Sequence, residues 1–280
     1  MVYKPSLSLV IAVYNKPDVL RFVLATCNRQ SFKDFEIIVA DDGSGPEVRE
    51  VVEESRVLYG FPIIHLWQED MGWRKDKMLN SAIRSSSSEY LVFVDGDCLL
   101  GKDFLLDHWN QRESNRILFG RRVQMSERWF KTLTLAKVMS GEYEKIGMRE
   151  LIDGLKGDTT YLETGIRIKN KLLRKFLFRN SIAMLGSNFS VHKKDMVTIN
   201  GFDETYDEPG LGEDTDVEFR LSLIGVIGKS LRNLALQFHV HHPPPKWSLK
   251  SIKRLDAVKA AKNPRCMIGL DDSRELARVR

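Results

Sequence analysis

The chain has 280 residues, 42% of them hydrophobic and 29% charged. A chain of that size and apolar content buries a substantial core, which excludes disordered and fibrous classes. Its 43 basic and 38 acidic residues leave a net charge of +5, a bias that suits a polyanionic neighbour without separating nucleotide, nucleic acid and lipid headgroup.

Residues 7–12 form a β-rich apolar run, and residues 17–30 carry Val19, Leu20, Val23, Leu24 and Cys27 at helical spacing, which predicts a strand followed by a helix. A second strand over 36–40 ends in Asp41-Asp42-Gly43-Ser44-Gly45-Pro46, a dense turn signal, and a helix follows over 47–56. The alternation continues with a strand over 62–66, a helix over 75–85 and a fully apolar strand over 90–94 that ends at Asp95-Gly96-Asp97. Repeated strand–helix units predict an α/β fold, an open and mostly parallel twisted sheet flanked by helices.

Beyond Gly120 this rhythm breaks, and residues 123–180 read as a long, basic, helical insertion. Within it, residues 167–179 hold six basic residues in thirteen and no acid, with Ile168, Leu172, Leu173 and Phe176 on one helical face. Such a helix either lies on an anionic membrane surface or packs on the core. A strand over 187–191, a short helix stopped by Asn200-Gly201, a helix over 214–223 and a strand-like stretch over 226–242 come next. The last stretch is closed by Pro243-Pro244-Pro245, and a basic terminal helix or tail ends the chain. No apolar run approaches the roughly 18–20 residues of a membrane span, and the amino terminus lacks a secretory signal, so membrane contact is expected to be peripheral. Cys27, Cys98 and Cys266 are odd in number and lack CxxC spacing, which favours a reducing compartment, the cytoplasm, over a disulfide framework or a cysteine zinc site.

In an open parallel sheet, ligands bind outside the carboxyl ends of the strands, so Asp41-Asp42 and Asp95-Gly96-Asp97 are the first candidates. Two carboxylates one residue apart after a buried strand can hold a divalent cation, with the glycine allowing close approach of a diphosphate; the same residues also make ordinary turns. No GxxxxGK[ST] loop and no GxGxxG follows the first strand, so a diphosphate here calls for a metal. Glu213 and Asp214 open a helix, where the macrodipole keeps a carboxylate ionised and ready to act as a base, or where it simply caps the helix. His239, His241 and His242 are half of the six histidines, and His239 and His242, three apart, can reach one ion.

Together these stretches resemble an inverting family 2 glycosyltransferase of the GT-A fold. The resemblance covers most of residues 6–245 and rests on four amino-terminal motifs. They are Ser8-Leu9-Val10-Ile11-Ala12-Val13-Tyr14-Asn15, residues 35–44 ending in Asp41-Asp42-Gly43-Ser44, Lys77-Met78-Leu79-Asn80, and Val94-Asp95-Gly96-Asp97. Further on, Gly186-Ser187-Asn188-Phe189-Ser190, Ile199-Asn200-Gly201-Phe202-Asp203 and Gly212-Glu213-Asp214 are similar to the carboxyl half of three groups: β-1,4-galactosyltransferases, chondroitin-polymerase-type enzymes and lipopolysaccharide glycosyltransferases.

The resemblance implies a nucleotide-sugar-binding half over 1–120, a helical insertion over 121–180, an acceptor and catalytic half over 181–245 and a basic carboxyl-terminal extension over 246–280. It puts Ala12, Tyr14 and Asp42 at the nucleoside, Arg74, Lys75 or Lys77 at the diphosphate, and Asp95 at the ribose or donor sugar. Asp97, His242 and His239 would hold Mn²⁺ or Mg²⁺. Asp214 would be the catalytic base and Glu213 would position the acceptor. The implied reaction carries a sugar, with UDP as the carrier the resemblance implies, to a hydroxyl of a glycan or glycolipid in bacterial surface polysaccharide or lipopolysaccharide synthesis. The alternative is a catalytically silent module that keeps nucleotide-sugar binding. No nucleic-acid recognition motif is present. One departure is clear: where the galactosyltransferases carry a tryptophan-rich loop, this chain has Glu208-Pro209-Gly210-Leu211-Gly212, leaving Trp73 and Trp247 as candidate stacking platforms.

Overall fold

A computed structural model describes residues 4–177, 183–210, 212–243, 249–271 and 278–279. Leu211, Pro244, Pro245, Trp247 and the end of the basic segment at Arg179 lie outside the described residues.

The amino-terminal half alternates as its sequence predicts: β1 (Leu7–Val13), α1 (Pro17–Asn28), β2 (Phe35–Asp41), α2 (Pro46–Tyr59), β3 (Ile63–Trp67), α3 (Lys75–Ser85) and β4 (Tyr90–Asp95). Strands β3, β2, β1 and β4 lie side by side and parallel, with Ala12 in register between Ala40 and Asp95. Apolar residues on alternate sides of each strand decide what covers the sheet. Leu7, Leu9, Ile11 and Val13 of β1 pack with Leu20, Val23 and Leu24 of α1 and Val48, Val51 and Val52 of α2. Val10 faces the other way and joins Met78, Leu79, Ala82 and Ile83 of α3. Both faces are therefore dry, and the carboxyl ends of β1, β2 and β4 open at one edge.

Next come β5 (Cys98–Leu100), α4 (Phe104–Gln111), β6 (Arg116–Phe119) and β7 (Val123–Gln124). The insertion is not one long helix. It consists of α5 (Glu127–Lys131), α6 (Leu135–Ser140), α7 (Met148–Lys156) and α8 (Lys171–Leu177), with two 3-10 turns, and α6 and α7 each stop at a left-handed glycine, Gly141 and Gly157. Ile168 lies ahead of α8, its N–H bonded to the Asn233 carbonyl, while Leu172, Leu173, Phe176 and Leu177 are exposed on the helix.

The chain continues with β8 (Asn188–His192), α9 (Lys193–Thr198), α10 (Glu213–Leu223), β9 (Ile227–Ser230), β10 (Gln237–His239), α11 (Leu249–Ala261) and β11 (Arg278–Val279). The large sheet runs β11-β3-β2-β1-β4-β8-β6-β9, with β8 antiparallel to β4 and to β6. A second sheet, β5-β10-β7, stands on its own small core of Leu99, Val123, Trp129, Tyr143 and Phe238. The stretch over 226–242, read from its apolar content as one strand, is thus two strands in different sheets. They part at Asn233, whose φ of 61° breaks the strand and whose side-chain amide donates to the carbonyls of Glu163 and Ile166. Among the described residues no helix is long and apolar enough to cross a membrane.

Candidate active site

The site is built around Asp95-Gly96-Asp97. The Gly96 N–H donates to the Ala12 carbonyl at 2.7 Å, and a Cβ at Gly96 would stand 2.9 Å from that oxygen and 3.1 Å from the Val13 side chain. Only glycine lets the chain turn so tightly against β1.

Asp97 leaves this turn toward the small sheet. There, β10 pairs with β5 so that His239 lies opposite Cys98, and the Val240 N–H donates to the Asp97 carbonyl. His239 Nε2 then lies 3.5 Å from Asp97 Oδ1, and His242 Nε2 lies 3.2 Å from Oδ2. The two Nε2 atoms are 3.1 Å apart. Each ring has its other nitrogen engaged. His239 Nδ1 is 2.6 Å from Gln124 Oε1 and His242 Nδ1 is 2.8 Å from the Pro243 carbonyl. Those oxygens accept, so neutral rings carry their proton on Nδ1 and turn lone pairs at Nε2 toward Asp97. Three lone-pair donors converging with oriented rings fit a divalent cation, whose adjacent ligands at about 2.1 Å and right angles stand about 3 Å apart. A ring that carries its proton on Nε2 donates it to Asp97 instead; burial works to raise the Asp97 carboxyl, yet those hydrogen bonds from His239 and His242 and the Lys16 charge hold it well below the usual carboxylate range. Lys16 Nζ donates to Asp97 Oδ2 at 2.8 Å.

Asp95 faces a different set. Lys75, the first residue of α3, bridges Asp95 at 3.0 Å and Glu213 at 3.1 Å, and Arg122 lies 3.7 Å from Asp95 while donating to Ser187 Oγ at 3.0 Å. Burial opposes the charge on Lys75, but Asp95 and Glu213 outweigh it and push the ammonium well above its ordinary value. Asp76, next along α3, is wholly buried, and neither carboxyl oxygen has a hydrogen-bond partner among the described residues. Burial and the Glu213 charge push its carboxyl well above its ordinary value.

Asp214, in the first turn of α10, accepts from the N–H of Gly186 at 2.9 Å and of Thr215 at 2.7 Å, so helix start and loop both aim backbone dipoles at it. Gly212, just before, has φ of 144°, and a Cβ there would meet the Tyr206 ring at 2.8 Å. The acidic pair therefore enters its helix through a bend open only to glycine. Helix α11 packs on α10, with Arg254 on Asp203 at 3.0 Å; the basic extension contributes a docked helix here.

At the end of the site where the sequence leads one to expect a nucleoside, Asp42 accepts from Gln68 at 2.6 Å and from the Arg74 backbone N–H at 2.8 Å. Burial nonetheless raises its carboxyl above the ordinary value. Tyr14, half exposed, donates to Asp70 at 2.9 Å. The Arg74 guanidinium turns back to the Glu69 carbonyl, while Lys77 lies partly buried on α3. Of the three basic residues proposed for the diphosphate, Lys75 is the one that bridges Asp95 and Glu213. Sequence reasoning missed Lys16, Arg122, Asp76 and Gln68. For Arg122 a signal existed, since Arg121-Arg122 follows the end of β6 as the acidic motifs follow β2 and β4.

The sequence model of Glycosyl transferase family 2 matches residues 8–180, more than half of the chain, and the chain belongs to that family. Chondroitin synthase from Escherichia coli is 26% identical over 246 residues, which is 86% of this chain and 35% of that protein. Validoxylamine A glucosyltransferase from Streptomyces hygroscopicus is 37% identical over 105 residues, 36% of this chain and 24% of that protein. The chain thus spans about a third or less of these two relatives. The uncharacterized glycosyltransferase YfnE from Bacillus subtilis is 27% identical over 272 residues, 88% of this chain and 67% of that protein. Among solved structures, TarS 1-349 of S. aureus in complex with UDP has a TM-score of 0.59 at 15% identity, covering 95% of this chain and 68% of that one. The mannosyltransferase PcManGT of Pyrobaculum calidifontis, in complex with GDP-Man and Mn²⁺, has a TM-score of 0.55 at 14% identity, covering 87% and 58%. The fold is that of the GT-A glycosyltransferases.

Proposed function

We propose that this chain is a metal-dependent inverting glycosyltransferase that moves a sugar from a UDP-sugar to a hydroxyl of a glycan or glycolipid acceptor in bacterial surface polysaccharide synthesis. The observation that carries this reading is the convergence of Asp97, His239 and His242, whose candidate ligand atoms lie within 4.8 Å of one another, two residues from the Asp95–Lys75–Glu213 chain. UDP as carrier is supported by the UDP and UDP-GlcNAc complexes of TarS, Mn²⁺ by the PcManGT complex, and a surface glycan by the chondroitin synthase relative.

A nucleoside diphosphate leaves with one more negative charge than it carried in the donor, and a divalent ion on Asp97, His239 and His242 would supply the charge that stabilises it. The protein's own residues do the rest. Ala12, Tyr14 and Asp42 bind the nucleoside, Asp95 orients the ribose or donor sugar, and Lys75 adds fixed positive charge beside it. Asp214, kept oriented by two backbone N–H groups, takes the proton from the acceptor hydroxyl as that oxygen attacks the anomeric carbon, and a single displacement inverts the centre. Glu213, held by Lys75, positions the acceptor. Replacing Asp214 by Asn is expected to lower Mn²⁺-dependent transfer about 10³-fold or more while UDP affinity stays within about threefold, read by product formation and calorimetry. Retained turnover removes Asp214 as the base. Nucleotide-sugar binding by the wild type, with no turnover on any acceptor, leaves the silent module instead.

We also infer that the protein works at the cytoplasmic face of a membrane, through α8. Its Leu172, Leu173, Phe176 and Leu177 are exposed, and no acid lies between residues 164 and 194, a pairing of apolar and cationic surface suited to anionic headgroups. Co-sedimentation with vesicles containing phosphatidylglycerol, lost on Phe176→Glu with Leu172→Glu, is the expected result; protein left in the supernatant removes this part.

A further inference from the structure

Lys16 has no part in the mechanism above, yet its ammonium sits 2.8 Å from Asp97 Oδ2, the oxygen that His242 approaches at 3.2 Å. Its backbone is fixed. Asn15, at φ of 48°, donates its N–H to Ser44 Oγ and accepts the Gly45 N–H on its side-chain oxygen, and Pro17 begins α1 directly after Lys16. These bonds tie the loop to the turn that presents Asp42, so Lys16 is rooted between the nucleoside end of the cleft and Asp97, the interval a diphosphate has to cross. The side chain remains about one-third exposed, and among the described residues its one charge partner is Asp97. Lys75, by contrast, is mostly buried and bridges two carboxylates. One lysine is locked, and the other is tethered at its root and free to swing.

A divalent ion bound by Asp97 claims the lone pairs that Lys16 now uses and repels the ammonium beside it. We propose that Lys16 is an exchangeable counter-cation: it holds Asp97 against free metal, and transfers to the donor diphosphate when ion and nucleotide arrive together. Its charge then serves the site twice, first restraining metal binding and then holding the leaving group, so metal and nucleotide affinities are coupled through one side chain. This inference rests on the reading of the chain as a metal-dependent, nucleotide-sugar-using enzyme, and the test separates the two.

The probes are Mn²⁺ alone, followed by titration calorimetry or electron paramagnetic resonance, and UDP at saturating Mn²⁺. The Lys16→Met variant keeps the length of the side chain and removes its charge, at a partly exposed position. It is expected to bind Mn²⁺ about three- to tenfold more tightly than wild type, because a competitor worth a partly exposed ion pair is gone. It is expected to bind UDP about tenfold more weakly, because a charge-assisted bond to phosphate is lost. Lys16→Arg should restore UDP binding toward the wild-type value. Opposite signs in the two titrations are the signature, since damage to the loop would weaken both. Mn²⁺ affinity unchanged or lowered in Lys16→Met overturns the exchange, as does UDP affinity unchanged. A wild-type protein that binds neither Mn²⁺ nor UDP removes the functional reading and this inference with it, whereas binding of both with no change in the variant removes this inference alone.

Discussion

Asp95 and Asp97 are separated by one glycine and live in opposite electrostatic surroundings. Asp95 looks toward α3 and α10, where Lys75 and Arg122 supply positive charge from side chains with 17% and 19% exposure. Asp97 looks toward the small sheet, where two imidazoles offer lone pairs and Lys16, with 36% exposure, offers the one cation within salt-bridge range among the described residues. Residues two apart in a regular strand share a face, so it is the turn at Gly96-Asp97, between the end of β4 and the start of β5, that sends the two carboxylates to different sides, and the packing of each side then decides what its carboxylate can hold. Fixed cations on the Asp95 side orient an anionic or hydroxylated ligand. Neutral ligands and a replaceable cation on the Asp97 side leave room for an ion to come and go.

That contrast is broken most forcefully by removing the cations themselves. Lys75→Met strips the partner from Asp95 and Glu213 in a part of the molecule that also contains the buried Asp76, and breaking a buried pair from one side costs about 3–5 kcal/mol. Lys16→Met removes a partly exposed pair and should cost no more than about 1 kcal/mol. Urea denaturation of the two variants beside wild type reads the difference directly. Equal losses would mean that Lys16 is as structural as Lys75, and the division into fixed and exchangeable charge would fail.

The Asp95 side was far more legible in the sequence than the Asp97 side. Asp41-Asp42 and Asp95-Gly96-Asp97 stand at the ends of long, fully buried parallel strands, where period, turn chemistry and site position all agree. Glu213 and Asp214 were readable as a helix start, although Gly212 as the one residue able to enter that helix needed the Tyr206 ring to be seen. His239 and His242 stood out as a cluster, but nothing in their neighbourhood says how they reach Asp97. The elements that bring them there are strands of two or three residues, β7, β5 and β10, too short to show any periodicity, paired across some 140 residues of chain from Cys98 to His239. Lys16 was invisible for another reason. At the start of α1 it reads as an ordinary helix-flanking residue, and its importance lies in a charge 81 positions away. The stretch over 123–180 reads as a helical insertion and does hold α5 to α8, but its composition does not show that glycines with left-handed backbone cut it into short helices.

A finer test sets the two aspartates against each other, because two sets of potential ligands share Asp97: one with His239 and His242, the other with Asp95 and Cys98. The surroundings favour the first. Burial pushes the Cys98 thiol well above its ordinary value, so it is protonated and a poor ligand, and Arg122 stands 3.7 Å from both its sulfur and Asp95 with a charge that cannot be discharged. An ion there would face a guanidinium at close range, while an ion between the imidazoles would face Lys16, the side chain proposed to move aside. Asp97→Asn is therefore expected to lower Mn²⁺ affinity by about 100-fold or more, beyond the effect of losing an outer partner, and Asp95→Asn by less than about threefold, the residue of a screened charge. His242→Ala should fall near the first and Cys98→Ser near the second, all read by Mn²⁺ titration without nucleotide. If Asp95→Asn or Cys98→Ser loses the ion as completely as Asp97→Asn, the exchangeable side of the cleft is the one that faces Arg122, and the charges that look fixed in the fold must be the ones that yield.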